Sequence, residues 1–100
     1  MTKVIISTSA EMSFFEVTGH TGYLNPSTGE NDVCVAVSTL VGMFGQWLEH
    51  QYGIHPVHLG EGHARFEIQP SNEKINELLL AIEHELKSIA KEYPCNLKVF

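Results

Sequence analysis

An α+β fold with the element order ββαββαβ is what this sequence of 100 residues predicts, and three observations predict it. Ser13 to Gly19 (SFFEVTG) and His63 to Gln69 (HARFEIQ) carry apolar residues with the period of two that belongs to a strand with one buried face. Two longer stretches, Val33 to Gln51 and Asn72 to Tyr93, repeat their apolar residues at helical spacing. Glycine, proline and asparagine cluster between these stretches and do not interrupt the alternation of these two strands. An antiparallel or mixed sheet carrying two amphipathic helices in a single domain, residues 1–100, is the arrangement that buries all of these apolar faces at once.

The first hairpin pairs Lys3 to Ser7 (KVIIS), rich in β-branched residues, with Ser13 to Gly19, and Thr8 to Met12 forms the turn. Phe15 and Val17 share one face of the second strand, and Phe14, Glu16 and Thr18 share the other, so one face is core and the other partly wet. Thr21 to Glu30 (TGYLNPSTGE) is too dense in turn formers for a regular element and reads as a loop of about ten residues, a size that suits either a gate or a plain surface connection.

Asn31 is a good N-cap and Asp32 suits the first turn of the helix that follows, in which Cys34, Val37, Val41, Phe44 and Leu48 recur at helical spacing. Gly53 ends it by taking the left-handed position, and the helix spans about 30 Å. Gly42 and Gly45 lower its propensity and point to close approach by a strand or a partner helix. Ile54 to Leu59 and His63 to Gln69 make a second hairpin around Gly60-Glu61-Gly62. Ser71 caps a second helix, Asn72 to about Tyr93, with Ile75, Leu78, Leu79, Ile82, Leu86, Ile89 and Ala90 on its apolar stripe. Pro94 stops that helix, and Cys95 to Phe100 is a last strand.

Composition narrows the function. With 43% hydrophobic and 18% charged residues, the chain has one complete small core. A net charge of −6 argues against a nucleic-acid surface and draws in a basic partner. The opening residues hold only a short apolar run and read as a strand, so a cytoplasmic protein without a leader is expected. Val33 to Leu48 falls short of the roughly 20 apolar residues that span a bilayer, so no membrane partner is expected. No glycine-rich phosphate loop follows a strand, which leaves no nucleotide cofactor. His55 and His58, an odd number apart on a predicted strand, point to opposite faces, so no metal centre is expected. Two cysteines without a CxxC spacing read as reduced thiols, and Cys95 reads as packing.

Cys34 stands near a helix start, where the positive end of the dipole and unpaired N–H groups favour a thiolate. His20, just past the second strand, is a candidate base. The bland alternative is a buried thiol on the apolar face of the helix and a solvated histidine. Ser38, one turn after Cys34, either bonds the thiolate or substrate or bonds back to its own helix. Asn31 and Asp32 either orient His20 or cap the helix.

Gly19-His20, Asn31-Asp32-Val33-Cys34 and Ala36-Val37-Ser38 resemble the ribosomal-processing cysteine protease family, Prp. Its hallmark is Gly-His-Ala, a glycine-containing loop, then Asp-apolar-Val-Cys-Ala-Ala-Val-Ser. Here Thr21 stands for the alanine, the loop is somewhat long, and Asn31 replaces the aspartate, with Asp32 displaced by one. The resemblance implies a cytoplasmic, homodimeric endopeptidase that removes the N-terminal extension of a large-subunit ribosomal protein. It places the catalytic histidine and cysteine at His20 and Cys34 and the family's serine at Ser38. Backbone N–H groups at the helix start, that of Cys34 included, would then form the oxyanion hole. Two rivals remain on the same residues. One is a non-catalytic module that binds a peptide or ribosomal protein, and the other is a redox enzyme with Cys95 as resolving thiol.

Overall fold

The computed structural model describes residues 1–19, 30–60 and 62–100, and of residues 30–32 the backbone alone. Its elements follow the predicted order: β1 (Thr2–Ser7), β2 (Ser13–Thr18), α1 (Glu30–Tyr52), β3 (His58–Gly60), β4 (His63–Ile68), α2 (Glu73–Glu92) and β5 (Leu97–Val99). The strands form one mixed sheet in the order β3-β4-β2-β1-β5. Its pairs are antiparallel except for the parallel pairing of β1 with β5.

Alternation decides which face is covered. Phe15 and Val17 of β2 and Ala64, Phe66 and Ile68 of β4 are buried, while their neighbours Phe14, Glu16, Arg65 and Glu67 are half-buried on the other face. The buried face shares a single core with both helices. α1 contributes Val33, Val37, Val41, Phe44 and Leu48, and α2 contributes Ile75, Leu79, Ile82 and Leu86, each set at helical spacing. Phe44 fits between Phe15 and Phe66, edge-on to both, with ring centroids 5.6 and 5.2 Å away. On the outer face the Arg65 guanidinium lies over the Phe14 ring, 4.6 Å from its centroid.

Four expectations about boundaries and packing need correction. The strand expected over Ile54 to Leu59 is only His58–Gly60, because Pro56 has no N–H for a ladder, and Val57 makes just one bond to the Arg65 carbonyl. α2 is capped by Asn72, whose side chain accepts from the Ile75 N–H at 2.9 Å. Ser71 is occupied elsewhere: its hydroxyl accepts from Ser13 at 2.6 Å and donates to Asn76 at 3.1 Å, tying the start of β2 to α2. Cys95 is exposed rather than packed. The fourth correction, at the start of α1, bears on the site.

Candidate active site

α1 begins at Glu30, two residues earlier than a cap at Asn31 would place it, so Asn31 is the second helical residue. An acidic residue is favoured in a first turn by the dipole, and Glu30 extends the helix back accordingly. Cys34 becomes the fifth residue of α1 instead of about the third. A helix that starts at Glu30 pairs the Cys34 N–H with the Glu30 carbonyl, which removes that N–H from the expected oxyanion donors. The donors at the helix start are instead the N–H groups of residues 30–32. The Cα–Cβ bond of a helical residue tilts toward the N-terminus, so the Cys34 side chain leans back over the turn those groups belong to.

Cys34 is 2% exposed and is not in a disulfide. Ser38 is exposed one turn further along α1. His20 and the loop residues Thr21 to Gly29 lie outside the described residues, as do the side chains of Asn31 and Asp32. Cys34 and Ser38 are therefore the candidate residues that the described fold brings onto one helix face.

Gly19 sets how the chain leaves β2 toward residue 20. Its φ is +81° and its N–H donates to the Gly62 carbonyl at 3.1 Å, across the mouth of the β4 hairpin. A Cβ at this position would overlap the Met1 carbonyl oxygen.

Beyond Ser38 the surface opens into a groove between α1 and the edge strand β3. It comprises two adjoining cavities of about 250 Å³ each. The one nearer Cys34 is walled by Val17, Val37, Ser38 and Ala64, and the farther one by Gln46, Glu49 and His55. Both share Val41, Gly42 and Leu59. Sequence reading missed this groove. Its one visible signal was Gly42 in mid-helix, expected to mark a close approach, whereas a Cβ there would meet nothing within 4 Å.

On the outer face of the sheet, His63 bonds the Glu16 carboxylate at 2.6 Å, and Arg65 reaches the same oxygen at 3.3 Å. The His58 and His63 rings lie 4.5 Å apart. Among the described residues, no group of three or more His, Cys, Asp or Glu side chains is arranged to hold a metal ion. The hydrogen bond from His63, aided by the charge of Arg65, holds the Glu16 carboxyl below the usual carboxylate range against a smaller opposing effect of burial. A carboxylate with a lowered folded pKa stabilises the fold above its unfolded value and loses that contribution as pH falls through the folded value. Glu16→Gln is therefore expected to be less stable than the parent at neutral pH. The gap should close as pH drops below about 4, read by denaturant midpoints at a series of pH values. A gap independent of pH would show that the carboxylate charge is not what matters there.

Among the described residues no helix is long and apolar enough to cross a membrane. The family model of the cysteine protease Prp matches residues 1–98 of the chain. No curated protein matches it. Among solved structures, the fold is similar to that of the essential ribosomal processing protease Prp from S. aureus in complex with a substrate peptide. The TM-score is 0.80 at 17% identity, covering 100% of this chain and 98% of that one. The same protease with a covalently linked product peptide gives 0.74 at 18% identity over 99% and 97%. SMU.848 from Streptococcus mutans gives 0.74 at 23% identity over 99% and 91%.

Proposed function

Because this chain belongs to the cysteine protease Prp family, we propose that it is an endopeptidase with Cys34 as nucleophile and His20 as base, and that it removes the N-terminal extension of a large-subunit ribosomal protein. The observation that carries the reading is the position of Cys34, one turn inside α1 with its side chain leaning toward the helix start and Ser38 leading from it into the groove. His20 takes the thiol proton, and the thiolate attacks the scissile carbonyl. The backbone N–H groups of residues 30–32 stabilise the oxyanion. The imidazolium then protonates the leaving amine, and His20 activates the water that releases the acyl group from sulfur. Asn31 or Asp32 holds the imidazole in its working orientation, by an amide or a carboxylate. Ser38 contacts the bound peptide. The S. aureus relative with its covalently linked product peptide supports a covalent route. A net charge of −6 favours approach of a basic ribosomal-protein tail. The enzyme works as a homodimer in the cytoplasm and needs no cofactor or metal.

One observation favours a second reading, a non-catalytic module that binds the same peptide: Cys34 is almost fully buried. Alkylation by iodoacetamide as a function of pH separates the two. The exposed Cys95 would react as well, so the measurement is made in a Cys95→Ser background. A catalytic Cys34 is expected to react with a midpoint well below the ordinary thiol value of about 8.5. An inert thiol, or one titrating near that value, would overturn Cys34 as the nucleophile and leave the binding module as the reading to test.

A further inference from the structure

The ladder between β2 and β4 ends at the rung from Thr18 to His63. One bond continues beyond it, from the Gly19 N–H to the Gly62 carbonyl, and it joins two glycines of positive φ, +81° and +79°. Neither glycine brings a side chain to hold this bond, and ladders fray first at their ends. Residue 20 follows directly on Gly19. Where it stands therefore depends on how firmly the Gly62 end of β4 is held against the end of β2.

His63, next to Gly62, is held from two sides. Its Nε2 lies 2.6 Å from the Glu16 carboxylate of β2, and its ring centroid lies 4.5 Å from that of His58 on β3. A carboxylate only accepts, so Nε2 carries the proton and donates. The middle of the two strands has a restraint of its own, since Arg65 pairs with Glu16 in register and reaches the same oxygen at 3.3 Å. The His63 bond is the shorter one, and it is diagonal: it runs from the last rung back to Glu16, two residues before Thr18. What it adds is restraint at the strand end. β3, with only three residues, is a weak splint for that end without it. His63 also borders the cavity nearer Cys34, so this rung stands at the edge of the groove.

We infer that His63 is a positioning residue: bonded to Glu16, it holds the Gly62 end of β4 so that the chain leaving β2 presents His20 to Cys34. The inference rests on the protease reading of His20 and Cys34. The test compares His63→Phe, which keeps a ring beside His58 and loses the donor, with His63→Gln, whose amide nitrogen restores a donor. Both are made in the Cys95→Ser background and read in two ways, by steady-state cleavage of a synthetic peptide spanning the host's ribosomal-protein extension and by alkylation of Cys34 with iodoacetamide against pH. His63→Phe is expected to lose roughly tenfold in kcat with KM nearly unchanged, the mark of a displaced group rather than a lost substrate contact. Its Cys34 midpoint should rise by about one pH unit, because the imidazolium that stabilises the thiolate has moved away. His63→Gln should recover most of both. Each variant is measured well below its own Tm, and should His63→Phe fail to fold, Glu16→Ala, which removes the acceptor and leaves the imidazole, should give the same two shifts.

A low Cys34 midpoint in the parent that stays put in His63→Phe, with kcat also unmoved, would overturn the inference and leave the protease reading standing. A raised KM at unchanged kcat would make His63 a wall of the groove and overturn it as well. Equal losses in His63→Phe and His63→Gln would do the same, since the bond to Glu16 would then not be what matters. If the peptide is not cleaved but the parent's thiol midpoint is low, the shift of that midpoint decides alone. A parent that cleaves nothing and whose thiol titrates at the ordinary value would overturn the protease reading, and the positioning role with it.

Discussion

Cys34→Ala is expected to abolish cleavage of the ribosomal-protein extension, by roughly 10⁴-fold or more in kcat, while leaving a folded chain that still binds the peptide. The loss is large because no other group in the described site can form the acyl intermediate. Ser38 is one turn away on the same helix, but a serine hydroxyl is protonated at neutral pH and a far weaker nucleophile than a thiolate. The structural cost should be small by comparison. Removing one sulfur from a buried position on the core side of α1 should cost about 1 kcal/mol, a few degrees in Tm, and leave the Phe15, Phe44 and Phe66 cluster in place. Mass spectrometry of a synthetic peptide spanning the extension, alongside far-ultraviolet circular dichroism, reads both effects. Cleavage that persists in the folded variant would move the nucleophile elsewhere. A variant that neither cleaves nor folds would make Cys34 a core residue first.

How far the sequence reaches depends on whether a signal is local. β2 and β4 were legible because each carries its own alternation, and α2 because Ile75, Leu79, Ile82 and Leu86 repeat within one element. Boundaries were less so. Ser71 and Asn72 are both good caps, and the choice between them was made by Ser13, a partner far away in the chain, together with Asn76 in the first turns of α2. The same limit applies to the site. Residue types pointed to His20 and Cys34, yet nothing local says where the helix between them starts, and a shift of two residues changes which N–H groups can serve an oxyanion. The groove is the extreme case. Leu59 and Gly42 belong to different elements, and an exposed leucine on an edge strand reads, in the sequence, like any core leucine. The Glu16 to His63 bond joins strands that meet only through the fold, and periodicity carries no trace of it.

Gly19→Ala should be the most damaging single-methyl substitution next to the site. Two costs coincide there. A φ of +81° disfavours any L-residue with a Cβ by about 1–2 kcal/mol. The added Cβ would also run into the Met1 carbonyl, which is backbone and cannot rotate away. Gly53→Ala separates these costs. Gly53 has a φ of +66° at the end of α1, and a Cβ there would meet nothing within 4 Å, so it should show the conformational cost alone, about 1 kcal/mol. Gly19→Ala is expected to exceed it, at roughly 2 kcal/mol or more and a fall of about 10 °C in Tm. Its second effect is on catalysis. The overlap is relieved by moving residue 19 away from β1 and from the Gly62 carbonyl, and residue 20 is attached to it. A displacement of about 1 Å in a catalytic group can cost roughly 10²-fold, so kcat should fall well below the parent's even at temperatures where the variant is fully folded. Gly53→Ala should keep the parent's kcat. Were Gly19→Ala to match Gly53→Ala in both Tm and kcat, the left-handed turn at the end of β2 would be a matter of stability alone, and the base would have to be placed by some other contact.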